Sequence, residues 1–286
     1  MKKAYIVAEI GQNHNGDLHI AKELIDCADI AGCDAIKSAK RDLKYELSDE
    51  AYHRLYDSPN SFGKTYGEHR EFLELSFEEH RTLKRFANNR NMDYFLSVCD
   101  EPSLEFALTL NPPLVKVPSK EINNIPLLEK VSACGKPTAF SIGLGTKNEI
   151  IKAHDILKPT MVVVTTSVCP TYIDNVNLAR IPFIKNSLQP FSIGFSSHCP
   201  DPMLGVAAVA LGAEYVEYHL TLDREMKGSD HSVSLEVEEL ADMVENIRNL
   251  EIAYGDSSYV DELPYYLKST RKKLEKHKCE DGVYRI

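Results

Sequence analysis

The chain has 286 residues, 43% of them hydrophobic and 27% charged, with a net charge of −10 and a pI near 5.5. That is enough apolar material for a sizeable core in one large domain or two small ones. The acidic balance and the lack of a long basic run argue against a nucleic-acid partner, and no apolar segment approaches the ~20 residues a membrane helix needs.

The opening MKKAYIVAEIG has two lysines and a short apolar run, but polar QNHNGD follows at once. Ala4–Ile10 therefore reads as a first strand and not as a signal peptide. Asp17 can cap a helix over Leu18–Ala31, with Leu18, Ala21, Leu24, Ile25 and Ala28 on one face and Gly32 at its end. Asp34–Ser38 is a second strand. Residues 40–70 are polar, rich in Tyr and His and without clear periodicity, the pattern of a long functional or mobile loop. Ser76 caps a helix to about Asn91, with Glu78 and Glu79 in its first turn. Strand and helix then alternate: Met92–Val98 and Pro102–Leu110, Leu114–Val117 and Ile125–Cys134, Pro137–Ile142 and a Thr146-capped helix to Leu157, Met161–Thr166 and a helix near Asn177–Asn186. Phe191–Phe195, a small-residue helix over Met203–Leu211 and the strand Tyr215–Tyr218 follow, and Ser234–Tyr254 is a final amphipathic helix. The charged tail from Asp256, with Lys268, Arg271, Lys272 and Lys273, reads as a short helix on the surface or on a partner subunit, or as a fraying end.

Eight strand-then-helix units in this length predict a (β/α)8 TIM barrel over residues 1–255, with a C-terminal extension over 256–286 that is helical or partly disordered. A doubly wound open sheet would need a Gly-rich phosphate loop, and neither GxGxxG nor GxxxxGK[ST] occurs. Seven cysteines (Cys27, Cys33, Cys99, Cys134, Cys169, Cys199, Cys279) form no CxxC pair and are odd in number. Reduced thiols in the cytoplasm fit that usage better than a disulfide framework.

In such a barrel chemistry sits at the C-terminal strand ends. Those ends offer Glu9, Asn13 and His14; Lys37; Cys99 and Asp100; Lys116, Ser119 and Glu121; Ser141; Ser167; Ser196 and His198; and Glu217 and His219. Lys37 and Lys116 interrupt apolar strands. A buried ammonium needs an anion or a covalent role, so the two lysines with several serines predict a pocket for phosphate and carboxylate, unless they snorkel to solvent at the rim. His198 and His219 end successive strands, and a loop with Asp223, Asp230 and His231 returns to the same edge, a set that could hold a divalent metal with open positions. Each histidine alone could equally bond a nearby carbonyl, and Glu9 could equally be a structural partner of a lysine. Cys99 and Cys199 read as small buried residues rather than nucleophiles.

The stretches AEIGQNHNGDLHIAKELIDCADIAGCDAIK, VKVPSKEINNIPLLEKVSACGKP, FSIGLGT and IGFSSHCPD with ALGAEYVEYHLTLDREMKGSDH resemble the sialic acid synthase family, over about Ile6–Gly255. The resemblance implies condensation of phosphoenolpyruvate with an N-acyl amino sugar such as N-acetylmannosamine. It implies a divalent metal, commonly Mn2+ (Mg2+ and Co2+ being the alternatives), on His198 and His219, and phosphoenolpyruvate on Lys37, Lys116, Ser119, Ser141, Ser167 and Ser196. It further implies acceptor contacts from Glu121 and Asp230, with Glu9, His219 and Asp230 as the catalytic set. Departures from the family pattern are Ser38-Ala39 after the strand-two lysine, Ser167 for Asn, Cys169 for an aromatic, Ser197 for Asp and Ser229 for Pro. Family members usually add an antifreeze-like domain that lends an arginine to the partner subunit. The resemblance implies a homodimer; because the chain stops short of that length, a separate antifreeze-like subunit is the alternative. The alternative functions are an aldolase, metal-dependent or using Lys116 or Lys37 as a Schiff base, and a non-catalytic barrel that binds a sugar acid.

Overall fold

The computed structural model describes residues 2–255 and 261–286. They fall into two compact units, Lys2–Leu250 and a second containing residues 251–286. The expected boundary after Gly255 opens onto residues 256–260, which lie outside the described residues.

The first unit is a closed barrel of eight parallel strands in chain order: β1 (Tyr5–Glu9), β2 (Ala35–Lys40), β3 (Asp93–Val98), β4 (Val115–Val117), β5 (Thr138–Ser141), β6 (Met161–Thr165), β7 (Ser192–Ser197) and β8 (Tyr215–His219). Pairing of Tyr5 with Tyr215 and of Glu9 with His219 closes the ring. The helices are α1 (Leu18–Ile30), α2 (Leu43–Glu46), α3 (Asp49–His53), α4 (Tyr66–Leu73), α5 (Phe77–Asn88), α6 (Glu101–Thr109), α7 (Ile125–Ala133), α8 (Lys147–Leu157), α9 (Arg180–Leu188), α10 (Pro202–Ala210) and α11 (Val237–Tyr254). Their starts follow the capping residues seen in the sequence: the Asp17 side chain accepts from His19 N, and Ser76 with Glu79 and Thr146 with Glu149 form reciprocal capping boxes.

Side chains alternate between the two faces of a strand, so each strand serves two cores. Ile6, Ala8, Ile36, Tyr94, Leu96, Phe140, Val162, Val164, Phe195, Val216 and Tyr218 belong to the larger cluster that includes the helix faces. Residues of the other parity, Val7, Ala35, Phe95, Ala139, Val163 and Tyr215, form a small separate cluster. That cluster plugs the barrel interior and supports the mouth above it.

The main correction concerns residues 40–70. They are not a structureless loop but carry α2, α3 and the start of α4. Each helix has its own N-cap (Asp42, Ser48, and Thr65 with a Glu68 capping box). At 4, 5 and 8 residues these helices are too short to show a 3.6-residue hydrophobic period. Ring packing holds the segment together: Tyr56 lies 4.6 Å from His69, and Phe62 stacks on Phe72 at 4.6 Å. The second unit contains α12 (Tyr265–Leu274) and an antiparallel pair, β9 (His277–Lys278) with β10 (Tyr284–Arg285). The sequence left a helix and a fraying end both open for this tail, and the hairpin was not among its readings. Among the described residues no helix is long and apolar enough to cross a membrane.

Candidate active site

Six of the eight strands change character along their inward-facing positions, and β4 and β7 add polar residues at the same level. At the N-terminal end these are Val7, Ala35, Phe95, Ala139, Val163 and Tyr215. One or two pleats further on they become Glu9, Lys37, Ser97, Lys116, Ser141, Thr165, Ser196, Glu217 and His219. The C-terminal half of the interior is thus a ring of buried polar groups on an apolar plug.

Glu217 is the hub of that ring. Lys116 Nζ donates to its Oε2 at 2.9 Å, Ser196 Oγ donates to Oε1 at 2.9 Å, Lys37 Nζ lies 3.3 Å from Oε1, and the Tyr215 hydroxyl also donates to it. Lys37 additionally donates to Ser97 Oγ at 2.9 Å and pairs with Glu9. Burial works against the Glu217 carboxylate, but Lys116 and Lys37 outweigh it and hold the group well below the usual carboxylate range. Burial also opposes the Lys37 ammonium, yet Glu217 and Glu9 raise it above the usual lysine value. Lys116 goes the other way: burial lowers it, Lys37 adds to the effect, and Glu217 only partly compensates. Both lysines are buried and neither snorkels. Two ammonium groups facing two carboxylates make a preorganised site whose charges an incoming anion can re-pair.

His198 and His219 stand beside this cluster with ring centroids 5.3 Å apart. His198 Nδ1 is 2.9 Å from Thr166 O, so it carries the proton and leaves Nε2 with a lone pair. Burial and the neighbouring His219 push the His198 pKa down to about 4, so its ring is neutral, as a metal ligand must be. His219 Nδ1 is buried with no hydrogen-bond partner, and Asp230 Oδ2 lies 3.8 Å from it. An unsatisfied buried nitrogen beside a second imidazole and a carboxylate fits a divalent cation. Among the described residues the group whose three ligand atoms all lie within 4.8 Å of one another is a different one, Glu46, Cys99 and Glu121. There Lys120 already supplies the cation, paired with Glu46 and 3.3 Å from Glu121, so the histidine pair is the better metal candidate.

The other expected residues divide. Ser141 is on the inward parity of β5. Ser119 Oγ lies 2.6 Å from Ser167 Oγ, an approach that Gly143 permits, since a Cβ there would sit 2.2 Å from Ser167 Oγ. Glu121 accepts from Asn124 at 2.8 Å and stands with Glu46, Cys99 and Lys120. Several strand-end polar residues prove structural. Asn13 donates to Leu220 O and Ser234 Oγ, Asp100 caps α6, and His231 bonds Thr221 Oγ1 at 2.7 Å. Asp223 is exposed. His14 and His80 are buried and held neutral, largely by burial, at about 4 and about 3. Cys99 and Cys199 are buried and free.

Sequence reasoning noted Glu217 without giving it a role. Its parity with Lys37 and Lys116 in the interior was the available signal. It missed Ser97, and it missed a relay running outward from Asp230: Gln12 Nε2 donates to Asp230 Oδ2 at 3.1 Å, and Arg70 Nη1 donates to Gln12 Oε1. No sequence signal joins residues 12, 70 and 230.

Comparison with known proteins places this geometry. A model of the NeuB family matches residues 24–259. The chain is 41% identical over 255 residues to N-acetylneuraminate-9-phosphate synthase of Homo sapiens, covering 88% of this chain and 71% of that protein. It is 33% identical over 263 residues to N,N'-diacetyllegionaminic acid synthase of Legionella pneumophila, covering 88% and 73%. Among solved structures, N-acetylneuraminic acid synthetase from Leptospira borgpetersenii, in complex with citrate, superimposes with a TM-score of 0.79 at 29% identity, over 95% of this chain and 91% of that one. The match over most of the barrel and the identity to these relatives show that the chain belongs to the NeuB family of nonulosonic acid synthases.

Proposed function

We propose that this chain condenses phosphoenolpyruvate with an N-acyl amino sugar, giving a nine-carbon α-keto sugar acid and inorganic phosphate. The observation that carries the reading is the polar ring at one end of the barrel. Lys37 and Lys116 face each other across Glu217, beside His198 and His219. The barrel, residues 1–255, is the catalytic part in this reading and 256–286 an extension.

The donor's carboxylate and phosphate draw on Lys37 and Lys116, with Ser119, Ser141, Ser167 and Ser196 as hydroxyl donors around them. Carbon 3 of phosphoenolpyruvate forms the new bond to the acceptor's carbonyl carbon. Water adds to carbon 2, and the carbon 2–oxygen bond to phosphate breaks, leaving the keto acid. The water oxygen becomes the keto oxygen: one of its protons goes to the acceptor oxygen and the other leaves with phosphate, so atoms and charge balance. A divalent cation held by His198 and His219, with Asp230 alongside, supplies Lewis-acid polarisation of the acceptor carbonyl when bound. Glu9 accepts from Gly11 N and pairs with Lys37, which fixes its carboxylate at the inner wall where a proton could be passed to or from the acceptor. Glu121 stands on the β4 side and is assigned to the acceptor's substituents.

The test is a sugar panel. The protein with Mn2+, Mg2+ or Co2+, phosphoenolpyruvate and N-acyl hexosamines should release inorganic phosphate and yield a keto acid seen by mass spectrometry. No release with any sugar from folded, metal-loaded protein refutes the reading. One observation favours a second reading, a Schiff-base aldolase: burial lowers the Lys116 pKa and so eases formation of a free amine. Borohydride trapping with pyruvate separates the two, because a covalent adduct on Lys116 belongs to the aldolase alone.

A further inference from the structure

The carboxylate of Asp230 is fixed through both of its oxygens. Ser229 Oγ donates to Oδ1 at 2.7 Å, and Gln12 Nε2 donates to Oδ2 at 3.1 Å. Oδ2 is also the atom 3.8 Å from His219 Nδ1, too far for a hydrogen bond and a spacing that two ligands of one cation can have. The Ser229 bond is local to the loop after β8 and would travel with it. The Gln12 bond crosses from the loop after β1 and ties the carboxylate to a second part of the barrel mouth.

Gln12 is an unusual residue for its backbone. Its φ is 70°, in the left-handed region where glycine or asparagine is the easier choice. Of the other non-glycine residues with positive φ among the described residues, Asn15, Asn91, Asn111 and Asn177 are asparagines, and Lys158 and Gln189 close α8 and α9. Gln12 is neither an asparagine nor a helix cap, so its side chain, and not the turn, is what the position needs. That side chain has two different ends. Its Oε1 accepts from Arg70 Nη1 while its Nε2 donates to Asp230. Turned over, the amide would set its N–H groups against the guanidinium and its carbonyl against the carboxylate, donor on donor and acceptor on acceptor. Arg70 therefore selects the orientation that Asp230 requires. Arg70 is itself aimed: its Nε donates to the Tyr66 hydroxyl, one helical turn earlier, at 3.0 Å, and its guanidinium lies 5.0 Å over the Tyr66 ring.

We propose that Gln12 and Arg70 are positioning residues for the divalent cation: the guanidinium orients the amide, and the amide holds the Asp230 carboxylate toward His219. This rests on the functional reading above, in which the cation sits on His198 and His219, and adds to it two residues outside the ligand set, one of them on α4. The two act differently. Gln12 removes the carboxylate's freedom to rotate away before a cation arrives, so less order has to be imposed on binding. Arg70 touches no candidate ligand. Its effect passes through Gln12, and its removal leaves the amide free to turn.

Titration of the full chain with Mn2+, the free ion being followed by its electron paramagnetic resonance signal with no substrate present, tests the proposal. Gln12→Leu should weaken binding about 10- to 100-fold and Arg70→Met about tenfold. Arg70→Lys keeps a donor for the amide and should fall between Arg70→Met and the parent. Gln12→Asn separates positioning from stability. Its shorter amide suits the left-handed backbone, so urea unfolding should show a metal-free protein at least as stable as the parent, while Mn2+ binding weakens as in Gln12→Leu. Asparagine and leucine variants that bind Mn2+ within about twofold of the parent overturn the proposal. So does an Arg70→Met variant with the parent's affinity, because the relay then ends at Gln12. A parent that binds none of Mn2+, Mg2+ and Co2+ defeats the functional reading and this proposal together, whereas a parent that binds Mn2+ no better than its variants defeats this proposal alone.

Discussion

Replacing Glu217 by glutamine keeps the side chain's shape and removes one charge from the centre of the barrel. The structure sets the size of the effect. Glu217 is 3% exposed and contacts two ammonium groups, a serine and a tyrosine hydroxyl. In the Glu217→Gln variant Glu9 alone is left to balance Lys37 and Lys116, and the new amide N–H group points a donor at groups that are themselves donors. Breaking a buried pair of this kind costs about 3–5 kcal/mol. For a domain of this size each kcal/mol is worth roughly 2–4 °C in Tm, so a fall of about 10 °C is expected. The same change leaves the pocket one positive charge richer, so an anion should recover more stability in the variant than in the parent. Urea unfolding with and without phosphoenolpyruvate reads both quantities. A variant within ~1 kcal/mol of the parent, or one stabilised no further by the anion, would refute the claim that Glu217 holds the two lysines in place of substrate.

Acid should weaken the fold through His14 and His80. Their folded-state values lie at about 4 and about 3, chiefly because of burial, against ~6.5 unfolded. The unfolded chain therefore takes up protons first. Stability is full above pH ~6.5 and is lost as pH falls towards 4 and 3, by a few kcal/mol per group at the limit, roughly; His80→Gln should flatten the slope between pH 7 and 5, and an unchanged slope counts against it. Thr65→Ala removes the capping box of α4 and should cost about 1 kcal/mol, with faster amide exchange over 66–70. An exchange rate equal to the parent's would mean that the ring packing of the segment holds α4 without its cap. Gly143→Ala places a Cβ 2.2 Å from Ser167 Oγ and should raise KM for phosphoenolpyruvate about tenfold with the barrel still folded. Unaltered donor kinetics would remove Ser167 from the donor site.

Much of the barrel was readable because local chemistry writes it. Asp17, Ser76 and Thr146 announce helix starts, Gly32 and Gly135 follow helix ends, and the alternation of short apolar runs with helical segments leaves little besides a parallel sheet. The segment 40–70 was unreadable for the opposite reason: α2 and α3 are stabilised by caps and by packing of Tyr56, Phe62, His69 and Phe72, and none of that leaves a period in the sequence. Its length led to the expectation of a loop, although it brings Arg70 to the barrel mouth.

By itself the sequence determined which residue types stand at each strand end, because a strand's parity and its capping neighbours are properties of a few adjacent residues. It named Lys37, Lys116, His198 and His219 on that basis. Only the tertiary structure decided their partners. Barrel closure pairs Glu9 with His219 across 210 positions of sequence and sets Glu217 between two lysines from β2 and β4. It also separates the histidines by environment: His14 and His231 each have a ring nitrogen bonded to a neighbouring group, whereas His219 keeps a buried Nδ1 unbonded next to His198 and 3.8 Å from Asp230. Charge, burial and distance are collective quantities, fixed when distant strands meet, and the identity of a residue carries them only once its neighbours are known.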